Sequence, residues 1–197
     1  MPAFFGRPSL SPFVAALVAV GTIRRSARVL ALGCGDGVDL AALRGLGYRR
    51  LVGIDDDADQ LDAAARRLDD VVRLEHGKVP RALGRFERGT FDVILDTLTS
   101  QNVLRGRREL THELARLVVP GGLWIAQIRS PVTRMDFVEE RRATSVLPPD
   151  ADAFFAWSPG VATHLVEYAD RHHRRVRSCP TVAMVGRRRS RATRPAR

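Results

Sequence analysis

The sequence predicts an α/β fold built on a doubly wound, mostly parallel sheet with helices on both of its faces. Two observations support this prediction. Short apolar runs alternate with segments of helical periodicity over about the first 130 residues, which is typical of parallel strands joined by right-handed crossovers. In addition, one apolar run leads directly into a glycine-rich turn, as the first strand of a nucleotide-binding sheet does.

The first predicted elements surround that turn. Residues 11–21 are expected to form a leading helix, because Ser11 and Pro12 are typical of a helix start. A buried strand is predicted at about 28–32, followed by the turn from Gly33 to Gly37 and a helix to about residue 44. Glycine suits this turn because the chain reverses sharply and its backbone must approach a ligand where a Cβ would collide.

The second strand is predicted at about 50–54 and ends in Asp55, 22 residues after Gly33. In nucleotide-binding sheets an acid at this position accepts hydrogen bonds from ribose hydroxyls. The alternative is that Asp55 caps a neighbouring turn. The helix that follows is expected to begin at Asp57 or Asp59. Its predicted inward face consists of Leu61, Ala64, Ala65 and Leu68.

The glycine spacing distinguishes between two classes of nucleotide ligand. Dinucleotide sites favour G-x-G-x-x-G, and Val38 occupies the place of the third glycine here. S-adenosylmethionine has no phosphate and carries a positive sulfonium, so it requires close backbone approach and acids. The sequence VLALGCGDG, followed by VGIDDD, resembles the first two motifs of class I S-adenosylmethionine-dependent methyltransferases. The resemblance implies a seven-stranded, Rossmann-like sheet with an antiparallel finish and S-adenosyl-L-methionine as cofactor, released as S-adenosyl-L-homocysteine.

The resemblance also implies which residues bind the donor. The glycine-rich turn would lie against the methionyl part and the ribose, Asp55 would hold the ribose hydroxyls, and Asp56 would flank the adenine. Further contacts are expected after the third strand, at about 71–74, and after the fourth, at about 91–95. The predicted cofactor-binding residues are Gly33, Cys34, Gly35, Asp55, Asp56, Lys78, Val79 and Asp96. No metal site is expected, and the five histidines do not identify a catalytic base.

Two positions depart from the family pattern. Ala31 stands where an acid is common before the glycines, and Lys78 stands where an acid commonly approaches the adenine amino group. Each missing charged hydrogen bond is worth roughly 1.5–3 kcal/mol. A non-catalytic binding module that keeps the fold is therefore an alternative to an enzyme.

The C-terminal half continues the alternation and then loses it. A helix is predicted at about 107–118 and a fifth strand at about 123–128. Residues 131–157 are expected to form a variable cover that supplies the acceptor wall. The aromatic and sulfur-containing side chains of that cover are Met135, Phe137, Phe154, Phe155 and Trp157.

The last predicted elements follow Ser158. Residues 158–171 read as a capped helix, with a strand at about 163–169 as the alternative. Two final strands are expected at 174–178 and 181–186.

Composition fits one domain, expected to span residues 1–186 of the 197, since 45% of the residues are hydrophobic. The formal charge of +10 is concentrated at the end: six of the 32 basic residues and no acid lie in 187–197, which is expected to be a disordered tail. No apolar run reaches the roughly 18–20 residues of a membrane span. The two cysteines are far apart and form no disulfide framework, so a cytoplasmic setting is expected.

The predicted function is methyl transfer to a small-molecule acceptor. The segment from Asp96 to Asn102 lacks the Asn/Asp-Pro-Pro-Tyr/Phe pattern of enzymes that methylate the exocyclic amines of adenine or amide nitrogens. An RNA or protein methyltransferase that uses the arginine-rich tail is the alternative within the enzyme class. Nucleic acid is thus a possible but not the favoured partner. The sequence gives no oligomeric state.

Overall fold

Eight strands form a single sheet in the computed structural model, which describes residues 18, 21, 23–68, 70–97, 106–129, 150–157, 161–169 and 175–189. The strands are β1 (Arg28–Leu32), β2 (Arg50–Asp55), β3 (Arg73–His76), β4 (Phe91–Thr97), β5 (Val118–Arg129), β6 (Phe155–Trp157), β7 (Val161–Ala169) and β8 (Arg175–Arg188). The α-helices are α1 (Val38–Gly45), α2 (Ala58–Arg67), α3 (Arg107–Leu117) and α4 (Ala151–Phe154). A 3-10 helix covers Arg81–Arg85.

The strand order is β3-β2-β1-β4-β5-β8-β6, and β7 pairs with β8. Strands β1 to β5 pair in parallel, whereas β8 runs antiparallel to its three neighbours. The predicted class, a doubly wound and mostly parallel α/β sheet with an antiparallel finish, is confirmed. The three-residue strand β6 is an eighth strand that was not predicted.

The order reverses between β1 and β4, which are neighbours although β2 and β3 lie between them in sequence. Open α/β sheets bind ligands outside the carboxyl ends of the strands at such a switch point. Leu32 at the end of β1 is level with Ile54 on one side and with Asp96 on the other. The register therefore brings the glycine-rich turn, Asp55 and Asp96 to one edge of the sheet.

The core lies on both faces of the sheet, as the near-continuous apolar strands predict. Leu30 and Leu32 pack with Ile94, Trp124 and the inner face of α3 on one face. The other face is built around β1, β4 and α1 from Val29, Ala31, Leu40, Leu43, Val93 and Leu95. The alternation along β1 assigns successive residues to opposite faces, which fixes the strand in its register.

Several elements differ from the predictions because strand pairing overrides local signals. Strand β5 begins at Val118, which pairs with Phe91, and not at about residue 123. Strand β3 begins at Arg73, where it pairs with Val52 of β2; Val71 is 54% exposed and lies outside it. Residues 161–169 form a strand, so the predicted helix at 158–171 is wrong and the alternative strand is confirmed. The two final strands are one continuous strand, β8, which pairs first with β7 and then with β5.

The domain also extends beyond residue 186. Arg187 donates a hydrogen bond to the carbonyl of Gly121 at 3.0 Å, and Arg188 donates one to the carbonyl of Ala115 at 2.9 Å. The prediction of a disordered tail from 187 is therefore wrong for these two residues, which end β8. Residues 190–197 and most of the predicted leading helix at 11–21 lie outside the described residues.

The predicted variable cover is described only from residue 150. There, Phe155 is fully buried, and its ring meets that of Trp124 edge to face at 5.4 Å. Phe155 is thus part of the core and not of an acceptor wall. On α2, Leu61 and Ala64 face inward as predicted, whereas Ala65 is exposed.

Candidate active site

The turn between β1 and α1 is held in a left-handed conformation by its glycines. Gly33, Gly35 and Gly37 have φ values of 60°, 53° and 76°, a region that side chains disfavour. A Cβ on Gly37 would also lie 3.1 Å from the Cβ of Ala64 on α2. Gly35 and Gly33 shape the turn, whereas Gly37 additionally lets α1 and α2 pack closely.

Asp55 joins the end of β2 to this turn. One of its carboxylate oxygens accepts a hydrogen bond from the amide of Gly35 at 2.8 Å, and the other accepts from Asp57 at 3.0 Å. The amide of Cys34 donates to the carbonyl of Ile54 at 3.0 Å and adds a second link between β2 and the turn. Asp55 thus caps the turn. Each carboxylate oxygen has two lone pairs, so acceptor capacity remains for a ribose diol.

The ends of β2 and β3 form the neighbouring rim. Gly77 donates from its amide to the carbonyl of Asp55 at 2.9 Å, and the Nε2 atom of His76 lies 3.3 Å from the carbonyl oxygen of Asp56. Asp57 caps α2 by accepting from the amides of Asp59 and Gln60, which confirms Asp57 among the two predicted caps. The rim is therefore built mainly from backbone contacts.

Lys78 and Val79 follow β3 at this rim. Lys78 is exposed, and Val79 is half-buried against the core. The acid nearest in sequence, Glu75, is held by Arg73 at 2.6 Å and by Arg85 at 3.1 Å. The hydrogen bond from Arg73, together with that from Arg85, lowers the pKa of Glu75 although partial burial opposes them. Glu75 therefore does not replace the acid that the family has at position 78.

Asp96 lies at the end of β4 as predicted, but its side chain is buried, with 1% exposed. It accepts a hydrogen bond at 3.2 Å from the indole nitrogen of Trp124, which is itself fully buried. Sequence reasoning did not find Trp124 as a partner. The signal that could have found it is the register of β4 and β5, in which Trp124 is level with Ile94, two residues before Asp96 on the same face.

A cavity of about 170 Å³ opens beside the turn. Ala31, Gly33 and Cys34 line it together with two carboxylate residues, Asp36 and Asp39. Asp36 forms an ion pair of 2.6 Å with Arg67, and both side chains are more than a third exposed. The cavity thus has two carboxylates in its lining, one of which is paired with Arg67, and a carboxylate-lined cavity favours a cationic group.

Cys34 lies in the turn without the properties of a nucleophile. Burial and the negative charge of Asp55 raise the pKa of its thiol to about 12, so the thiol stays protonated near neutral pH. Its side chain packs against β2 where residue 53 is glycine. A Cβ there would lie 2.7 Å from the Sγ of Cys34 and 2.8 Å from the Cδ1 of Leu40. Gly53 is a further residue of the site that sequence reasoning missed.

Within the described ranges, no group of three or more His, Cys, Asp or Glu side chains is arranged to hold a metal ion. The helices in those ranges include none with the length and apolar character needed to cross a membrane.

These features define a class of protein: a doubly wound sheet with a glycine-rich turn at its switch point. Residues 29–122, slightly less than half of the chain, match the family model of the methyltransferase domain. This part of the chain is therefore similar to methyltransferase domains. Among curated proteins, no sequence matches this one.

Solved structures share the fold at low sequence identity. A protein from work on the conversion of a disulfide bond into a thioacetal group during echinomycin biosynthesis has a TM-score of 0.68 and 18% identity, covering 94% of this chain and 85% of its own. A methyltransferase from Methanosarcina mazei has a TM-score of 0.63 and 15% identity, covering 92% and 100%. The 1,6-didemethyltoxoflavin-N1-methyltransferase of Burkholderia thailandensis, with bound 1,6-didemethyltoxoflavin and S-adenosylhomocysteine, has a TM-score of 0.64 and 16% identity, covering 90% and 76%.

Proposed function

We propose that this protein transfers the methyl group of S-adenosyl-L-methionine to a small-molecule acceptor. The observation that supports it most directly is the hydrogen bond between the Asp55 carboxylate and the Gly35 amide. This bond holds the Asp55 carboxylate, which can accept hydrogen bonds from ribose hydroxyls, beside a turn whose glycines leave room for a ligand. The bound donor supplies a methyl group already activated by its sulfonium, so the protein mainly has to position the two reactants.

The donor would lie along the carboxyl edge of the sheet. In this proposal Asp55 accepts hydrogen bonds from the ribose hydroxyls, while the backbone of Gly33, Cys34 and Gly35 contacts the ribose and the methionyl part. Asp56, Lys78 and Val79 surround the adenine on the rim formed by β2 and β3. Asp96 acts from within the core, where it shapes the end of β4 beside the acceptor.

The acidic cavity beside the turn accounts for the departure at Ala31. Ala31 itself lines that cavity, and Asp39 of α1 lines it too. We propose that Asp39 supplies the negative charge opposite the ammonium and sulfonium groups of the donor. Elsewhere in the family, an acid at the position of Ala31 supplies this charge.

One observation favours a small-molecule acceptor. The segment after Asp96 lacks the Asn/Asp-Pro-Pro-Tyr/Phe pattern of enzymes that methylate the exocyclic amines of adenine or amide nitrogens. Among the structural neighbours, the Burkholderia enzyme holds a small heteroaromatic acceptor. We also propose a cytoplasmic location, because Cys34 is half-buried in the glycine-rich turn and the second cysteine is distant in sequence.

The test is calorimetric titration of the purified protein with S-adenosylhomocysteine, and separately with NAD. Binding of S-adenosylhomocysteine with no comparable binding of NAD is expected, since Val38 replaces the third glycine of dinucleotide sites. Formation of S-adenosylhomocysteine from S-adenosylmethionine, measured against a panel of small heteroaromatic amines, phenols and thiols, then identifies the acceptor class. Failure to bind S-adenosylhomocysteine would contradict the proposal and favour the non-catalytic alternative.

A further inference from the structure

A second polar groove lies at the opposite edge of the sheet, where the parallel strands begin. It has a volume of about 530 Å³ and lies between the starts of β1, β2, β4 and β5. The start of β1 at Arg28 is four residues from its end at Leu32, so the two edges are about 13 Å apart at 3.3 Å per residue. This groove is therefore separate from the candidate donor site.

The groove is strongly basic. Its lining includes Arg24, Arg28, Arg50 and Arg187, and among the described residues that line it Asp92 is the single acid. Asp92 accepts hydrogen bonds from the backbone amide of Arg28 at 2.8 Å and from its Nε atom at 3.1 Å. Burial acts to raise the pKa of Asp92, but the hydrogen bonds and charges of Arg28, with the charge of Arg50, lower it. The single acid is thus ionised at neutral pH and compensates one of the four guanidinium groups.

Two of the guanidinium groups are fixed in place, which prepares the groove for a ligand. Arg28 is held by Asp92, and Arg187 donates to the carbonyl of Gly121 at 3.0 Å. Arg24 and Arg50 are exposed, and the charge of Arg50 also acts on Asp92. Fixed guanidinium groups beside exposed ones suit an anion with several oxygens, because each group offers a planar fork of donors.

The described lining therefore carries a surplus of positive charge. Four arginines against one acid leave three positive charges uncompensated, which exceeds what a singly charged ligand would require. The volume is in the range of small-ligand sites, about 300–1,000 Å³.

We propose that this groove at the amino-terminal edge of the sheet binds a phosphate polyanion, either the di- or triphosphate of a free nucleotide or several successive backbone phosphates of an RNA chain. The proposal does not depend on methyl transfer, because it concerns a different edge of the sheet. Its test uses neither donor nor acceptor, so its failure would leave the proposed function unaffected.

The experiment titrates the full chain at low ionic strength with inorganic pyrophosphate by calorimetry, and with a fluorescent oligouridylate RNA by anisotropy. The test variant combines Arg24→Gln and Arg50→Gln. The control combines Arg66→Gln and Arg81→Gln, which removes the same charge from two exposed arginines outside the groove. We expect the test variant to weaken binding by about tenfold or more, as loss of charge-assisted hydrogen bonds does, and the control to change it less than about twofold.

A second pair of variants adds charge without removing an arginine. Ser26 lines the groove, so Ser26→Asp should weaken binding while the similarly sized Ser26→Asn should not. Pyrophosphate binding with this mutational pattern assigns the site to a free phosphate ligand. RNA binding alone, with the same pattern and a steep fall as salt rises, assigns it to phosphates of a chain. If neither probe binds, or if the test and control variants behave alike, the proposal is wrong.

Discussion

The indole nitrogen of Trp124 lies 3.2 Å from a carboxylate oxygen of Asp96, and both side chains are buried between β4 and β5. A buried carboxylate is costly unless hydrogen bonds satisfy it. The pair therefore links the packing of β5 to the end of β4. Asp96 is positioned from within the core and does not project freely into the mouth of the site.

This relationship predicts the effect of Trp124→Phe. Phenylalanine keeps an aromatic ring in the core but removes the donor to Asp96, so the free energy of unfolding should fall by about 1–3 kcal/mol. Urea unfolding measures it. A double-mutant cycle with Asp96→Ala should show coupling between the two sites. Strictly additive effects would mean that the hydrogen bond contributes nothing.

Asp55→Ala should abolish measurable donor binding, whereas Asp96→Ala should weaken it less. Losing two charged hydrogen bonds, at roughly 1.5–3 kcal/mol each, weakens binding by two orders of magnitude or more. The measurement is a paired titration of both variants with S-adenosylhomocysteine. Asp62→Ala, an exposed acid on α2, is the control for charge alone. Parent-like binding by Asp55→Ala would restrict Asp55 to its capping role.

Folding of the Asp55 variant has to be measured alongside, because Asp55 also accepts from the amides of Gly35 and Asp57. Asp55→Asn keeps one acceptor oxygen and should recover part of the stability without restoring the full affinity. If Asp55→Asn is more stable than Asp55→Ala but binds S-adenosylhomocysteine as poorly, the capping role of Asp55 is distinct from its ligand-binding role.

The free energy of unfolding should depend on pH through Glu75 and Asp92. Both carboxyls have folded-state pKa values below their usual ones, near 4.5 and 3.8. Their stabilisation is therefore fully present above those usual values and is lost as the pH falls through the lower folded-state values. Urea unfolding should be measured between about pH 3 and pH 7, the range in which these carboxyls titrate. Glu75→Gln should lower the free energy of unfolding at neutral pH and should lower it less at acid pH. The exposed Glu87→Gln is its control, and an identical pH profile for both variants would exclude a role for the Glu75 ion pairs.

Gly53→Ala should destabilise the protein by about 1–3 kcal/mol, the usual cost of overpacking a core. The added methyl would lie 2.7 Å from the Sγ of Cys34 and 2.8 Å from the Cδ1 of Leu40. Gly45→Ala is the matched control, since its added methyl meets nothing within 4 Å in α1. Alanine there should be neutral or stabilising by up to about 1 kcal/mol. Equal unfolding midpoints for the two variants would disagree with the packing described here.

The sequence was informative wherever a short stretch determines its own structure. Three local features were found at their predicted places: the apolar run before Gly33, the acid at the end of β2 and the cap at Asp57. Each of them depends on neighbours in sequence. The helix predicted at 158–171 failed because a Ser-Pro start is a local signal, whereas pairing of Val161–Ala169 with β8 is not. Trp124 as the partner of Asp96 was missed for the same reason, since only the register of two strands brings them together.

The end of β8 supplies the last prediction. Composition alone indicated disorder from residue 187, yet Arg187 pairs with Leu123 and Arg188 with Phe155 in the sheet. Deleting residues 190–197 should leave the melting temperature unchanged, whereas deleting 187–197 removes those ladder pairs and the hydrogen bonds to Gly121 and Ala115. For a chain of this size each 1 kcal/mol lost lowers the melting temperature by about 2–4 °C, so the longer deletion should lower it by several degrees. Equal melting temperatures for the two truncated chains would show that Arg187 and Arg188 add nothing to the sheet.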